Sequence, residues 1–216
     1  MTYDLIDRVL AFYRDRGAPM AVLQIAPSVL PADWDDISAA HGLEEGSSWA
    51  KLGAPIEETR TTALTDLRVG PVTEGEAVEW AALVTGQFGM DNEHLVAMLA
   101  QSFHNPAATP FAAWDGNHMV AGASLYVYGT VASLNSGATL QAHRGRGAQS
   151  ALIAARLRAA REAGATWAIG EAALPEPGRS NPSLDNQLRA GLQVLYHRWN
   201  WIWRAEGDIE RSADEQ

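Results

Sequence analysis

The chain has 216 residues, 47% of them hydrophobic and 19% charged, with a net charge of −10 and no cysteine. That is enough apolar material for a sizeable core in one domain or two small ones, and it excludes global disorder, disulfides, thiolate metal sites and cysteine nucleophiles. The acidic balance argues against a nucleic-acid partner, whose phosphates need a basic surface.

Residues 4–16 read as a helix, with Leu5, Val9 and Phe12 at helical spacing and Gly17 and Pro19 to stop it. Charges break this segment every few residues, so it predicts an amphipathic helix and neither a signal peptide nor a membrane span; a cytoplasmic protein is expected. A buried strand follows at 20–26, a short helix at 31–40 and a strand at 47–52. The polar stretch 53–65 reads as a linker. Beyond it come a strand at 67–72, helices at 76–87 and 92–103, and two strands at 111–114 and 119–127. Asp115-Gly116-Asn117 joins that pair as a hairpin turn. A strand rich in small residues covers 129–141, and a long helix 148–163. A strand at 167–172, a short helix at 183–190 and a strand at 194–203 complete the order. Trp199, Trp201 and Trp203 alternate onto one face of that last strand, so a core or a second copy of the chain is expected to cover them. The acidic residues 207–216 read as a frayed tail.

A faint repeat runs through the chain. Helix, Gly-Ala, strand, short helix ending in Gly-Leu, then strand occurs around Gly17 and Gly42, and again around Gly164 and Gly191. The expected domains are therefore 1–65 as a partial copy without a binding loop, 66–206 as the binding domain, and 207–216 as tail.

Residues 139–164 carry the strongest functional signal: a strand, a tight basic glycine loop, then a helix. The first helical N–H groups, at Gly147, Ala148, Gln149 and Ser150, lack intrahelical partners. With the positive end of the helix dipole they make a seat for phosphate. Arg144 and Arg146, around Gly145, add charge there. The loop has neither Gly-Lys-Ser/Thr nor Gly-x-Gly-x-x-Gly, which sets nucleotide-triphosphate and dinucleotide readings behind other diphosphate ligands.

The element order and this loop resemble the GNAT superfamily, the GCN5-related N-acetyltransferases. Arg144-Gly145-Arg146-Gly147-Ala148 fits the family's pyrophosphate loop, with Gln149 where a small residue is usual. Ser183-x-x-Asn186, followed by Arg189-Ala190-Gly191-Leu192, looks like the family's later helix end. The resemblance covers about 67–204. It implies an α/β fold with a central mixed sheet flanked by helices, acetyl-CoA as cosubstrate, and transfer of the acetyl group to a primary amine of a small molecule. It also implies that backbone at Thr139, Leu140 and Gln141 holds the pantetheine arm, that Asn186 reaches it, and that the Leu140 N–H is the oxyanion donor.

Glu171, at the end of a strand, is the candidate base or water relay; a solvated carboxylate or substrate anchor accounts for it equally well. The family's usual acid, a Tyr four residues before the helix-ending glycine, is Gln187 here, which cannot transfer a proton at a useful pKa. Tyr196 is the substitute of choice, with Tyr126 and Tyr128 behind it. A fold that binds acyl-CoA without turnover is the alternative. No metal-ligand spacing is present, because His94 and His104 do not match one. Trp80, Phe88 and Phe103 are candidates for an acceptor pocket or for helix packing, and Arg156, Arg158 and Arg161 read as a solvated helix face.

Overall fold

The computed structural model describes residues 1–90 and 92–205. It is a mixed α/β protein with eight strands among the described residues, and the chain divides into two compact units. One is Met1–Ala50 together with the described residues from Tyr196 onward; the other is Lys51–Leu195. The linear boundary at residue 65 thus differs from the division found. The acidic tail lies outside the described residues.

In the first unit, α1 (Tyr3–Arg14) starts at Thr2, whose hydroxyl accepts from the Leu5 N–H at 3.3 Å. It buries Ile6 and Leu10. β1 (Met20–Gln24) alternates inward at Ala21 and Leu23 and pairs antiparallel with β8 (Gln193–Arg204). With α2 (Trp34–Ala40), these elements enclose a core of Ile6, Leu10, Leu23, Trp34, Ile37, Trp201 and Trp203. Trp34 meets Trp201 edge-on at 5.1 Å. Two of the three alternating tryptophans are therefore core, while Trp199 is 43% exposed.

β2 (Glu44–Pro55) and β8 are the strands along which the backbone passes from one unit to the other. In the second unit the strand order is β2-β7-β6-β5-β4-β3. β3 (Arg68–Pro71), β4 (Ala108–Asp115), β5 (His118–Tyr128) and β6 (Val131–Thr139) are antiparallel neighbours, and β7 (Trp167–Ala173) runs parallel to β6. α3 (Ala77–Gln87) lies on β5. There Gly122 leaves room for Trp80 and Val84, whose side chains a Cβ would meet at 2.9 and 2.7 Å. α4 (Glu93–Gln101) packs on α3. α5 (Ala148–Glu162) is buried around most of its circumference, which its alanines permit. α6 (Pro182–Arg189) packs on α5 and β7.

The stretch expected to be a linker is instead built into the second unit. β2 runs on to Pro55, a 3-10 turn follows at Ile56–Glu58, and Ile56 is buried. The Ile56 N–H donates to the Thr166 carbonyl, and Arg161 of α5 donates to the carbonyls of Ile56 and Thr59. Arg158 donates to the Thr61 carbonyl. The solvated arginine face of α5 is therefore a docking face, because carbonyls of an irregular segment need donors as much as those of a strand do.

Candidate functional site

β6 and β7 pair only from Val131–Trp167 to Leu134–Gly170, although β6 runs on to Thr139 and β7 to Ala173. The strands part beyond that point. A bulge in β6 coincides with the parting: between Asn135 and Ala138 it advances three residues while β5 advances two, from Ser124 to Gly122. Ser136, inside the bulge, has a left-handed φ of 54°.

Beyond the bulge a cavity of about 650 Å³ opens. Its wall takes Gly137, Ala138 and Thr139 from β6, Arg144, Gly145 and Gly147 from the loop, Ala148, Gln149 and Ser150 from the start of α5, and Ser183, Asn186 and Arg189 from α6. Gln87 and Phe88, at the end of α3, close another side. The structure thus brings Thr139, Arg144, Gly145, Gly147, Ala148, Gln149, Ser150 and Asn186 together. Leu140, Gln141, Arg146, Glu171 and Tyr196 are not among the lining residues.

Gly147 caps α5 with a φ of 78°, a left-handed conformation that glycine adopts without strain, and a Cβ there would collide with the Leu64 carbonyl. The first bond of the helix runs from Ala151 N to the Gly147 carbonyl at 2.9 Å. The amides of Ala148, Gln149 and Ser150 precede it, and no acidic residue occupies this first turn.

Arg144 lines the cavity, with its Nε 3.4 Å from the Thr139 carbonyl. Arg146 is turned elsewhere: its guanidinium is clasped by Asp66 and Asp115. Thr65 Oγ1 donates to the Arg146 carbonyl at 2.8 Å. The Arg146 hydrogen bonds hold both carboxyls below their ordinary pKa, and both raise that of Arg146. His143, 3.6 Å from Asp115, also faces the cavity.

Gln149, the departure from a small residue, has a partner set of its own. Its Nε2 donates to Ser183 Oγ at 3.0 Å, and its Oε1 accepts from Asn186 Nδ2 at 2.8 Å. Ser150 Oγ donates to Asn186 Oδ1 at 3.1 Å. The side-chain amide fastens α5 to α6 across the cavity's edge.

One expectation is overturned. The Leu140 N–H donates to the Val120 carbonyl at 2.9 Å, so it is not free to meet an oxyanion. Bonds in an antiparallel ladder alternate, so the neighbouring amide, at Thr139, points away from β5. Glu171, half-buried on β7, lies 3.2 Å from Lys51 Nζ. Lys51 is the one lysine in the sequence. Gln187 is 6% exposed and donates through Nε2 to the Glu171 carbonyl at 3.0 Å, while its Oε1 is buried without a partner, against Gly170. Tyr196 sits half-buried on β8 in the first unit. Tyr126 and Tyr128 are exposed.

Of the aromatic candidates, Trp80 is fully buried and donates to the Phe111 carbonyl, so it belongs to the core, whereas Phe88 reaches the cavity. Arg156 is also buried, contrary to the solvated reading. The Asp66–Arg146–Asp115 clasp and the Gln149–Asn186 link have no sequence signal, because their partners lie 31 to 80 positions apart. Lys51 had one, its solitude.

Residues 76–175 match the family model described as the acetyltransferase (GNAT) family. Among solved structures, a GCN5-related N-acetyltransferase from Sphaerobacter thermophilus aligns with a TM-score of 0.72 at 14% identity, over 93% of this chain and 66% of that one. Another, from Kribbella flavida, gives 0.68 at 16% identity, over 98% and 79%. A tandem GNAT protein from the clavulanic acid biosynthesis pathway gives 0.60 at 15% identity, over 86% and 63%. No curated protein matches the chain. Among the described residues, no helix is long and apolar enough to cross a membrane.

Proposed function

We propose that this protein, whose residues 76–175 match the GNAT acetyltransferase family model, moves the acetyl group of acetyl-CoA to a primary amine of a small molecule, by direct attack with both substrates bound. The observation that carries this reading is the cavity itself, where a parted strand, a left-handed glycine cap and unpaired helix-start amides meet. Those parts fit the cosubstrate. The amides of Ala148, Gln149 and Ser150, with Arg144, suit a diphosphate, and the edge of β6 suits an extended amide-bearing arm.

Acetyl-CoA would supply an acyl group activated as a thioester. The Thr139 N–H is the chain's donor toward the acyl oxygen, in place of Leu140; one such donor lowers a barrier by roughly 3–4 kcal/mol. An alkylammonium has a pKa of about 10.4 and must lose a proton before attack. Glu171, directly or through water, takes it. Lys51 Nζ, 3.2 Å from Glu171, holds that carboxylate in place. As the carbon–nitrogen bond forms, the carbon–sulfur bond breaks; the nitrogen gives up its second proton and the leaving sulfur takes one up.

Calorimetry with acetyl-CoA, followed by turnover with a panel of amines, tests the proposal. Arg144→Ala is expected to weaken binding about tenfold or more, in keeping with ~1.5–3 kcal/mol for a hydrogen bond to a charged group. Undiminished affinity would remove the loop from the site. A second reading, binding without turnover, draws on Gln187, which is buried against β7 where the family places a tyrosine. Tight acetyl-CoA binding with no product from any amine would favour it.

A further inference from the structure

Resting on the acyl-CoA reading above, we infer that Arg156 is a positioning residue: from inside α5, its guanidinium holds the bulge of β6 open and so shapes the gap that the arm enters. A bulge breaks the ladder and leaves backbone groups without strand partners. Two carbonyls flank this one, Ser124 on β5 and Asn135 on β6, and they are register partners. Arg156 Nη1 donates to both, at 3.0 and 3.1 Å, and its Nε donates to the Leu152 carbonyl at 3.1 Å.

The side chain is 3% exposed, and among the described residues no carboxylate pairs with it. Burial pushes its pKa below the ordinary arginine value. A charge so enclosed is costly unless hydrogen-bonded, and here carbonyl oxygens alone satisfy it. Those oxygens fix the strand one residue ahead of Ser136. Past that point Gly137, Ala138 and Thr139 line the cavity, and β7 no longer pairs with β6. Losing the guanidinium would leave both carbonyls unsatisfied, and the bulge would no longer be held in one geometry. Lysine, a flexible point charge without the planar fork, does not hold the Leu152, Ser124 and Asn135 carbonyls in one fixed geometry.

The test uses the full chain with Arg156→Met and Arg156→Lys. Calorimetry is run with CoA and with 3′-phospho-ADP, which is the nucleotide end of CoA without the arm. Amide exchange is followed at residues 134–139. Arg156→Met is expected to lose about tenfold in CoA affinity, the scale of a charged hydrogen bond, with 3′-phospho-ADP little changed and exchange at 134–139 raised. Arg156→Lys should show the same selective loss, smaller, and it carries the comparison if the methionine variant does not fold. Equal weakening of both ligands, no weakening, or unaltered exchange at 134–139 would overturn the inference. If the unmodified protein binds no CoA, the acyl-CoA reading fails, and the exchange comparison still decides whether Arg156 holds the bulge.

Discussion

Gly170 shows how closely single residues are constrained near the site. Its missing Cβ is the space taken by Gln187 Oε1, in a strand that also carries Glu171. Gly170→Ala is expected to destabilise by about 1–3 kcal/mol through overpacking. Gly170→Ala with Gln187→Ala should recover part of that loss, as thermal unfolding of the two variants would show. Arg144 and Arg146 make the complementary point, since two like residues one position apart do unlike work. Arg144 borders the cavity, and Arg146 anchors the loop to Asp66 and Asp115. Because the native pKa of each carboxyl is lowered from 3.8, the clasp is intact above that value and is lost as pH falls through the lower native values. Asp66→Asn with Asp115→Asn should therefore raise amide exchange in the loop at neutral pH. It should also abolish the further rise that the unmodified loop shows, after correction for intrinsic rates, on acidification below pH ~4.

Among the elements, α5 and its loop were the most legible from sequence. Glycine at the cap, alanines at packing positions and the stop at Gly164 are local signals, and the helix at Ala148–Glu162 ends within one residue of the expected position. The bulge in β6 was not legible. It depends on register with β5, and serine is not a residue type that favours the left-handed φ seen at Ser136. Arg156 was misread for the same reason: spaced with Arg158 and Arg161 it resembles a wet face, and only the carbonyls freed by the bulge explain its burial. Trp80 failed differently. Its place in the core depends on Gly122, which lies 42 positions away in another element. The site was thus readable where it is a turn entering a helix and unreadable where it is a meeting of strands.

At the scale of the whole molecule, the chain leaves its first unit in β2 and returns to it in β8. Trp201 and Trp203 share their core with Ile6, Leu10 and Trp34, all from the first 50 residues. Removing residues 1–50 would expose both tryptophans and leave β8 without β1. Insoluble protein, or soluble protein that binds an apolar dye strongly, is the expected result; a well-behaved truncate with blue-shifted tryptophan fluorescence would contradict it.

The pairing of Lys51 with Glu171 has a practical corollary. Reductive methylation with carbon-13 formaldehyde would label only the α-amine and a single ε-amine. The dimethyl-lysine resonance would report, without crowding, on the charge state of the carboxylate beside it. A chain this poor in lysine carries its own spectroscopic reporter at the spot where proton transfer is proposed.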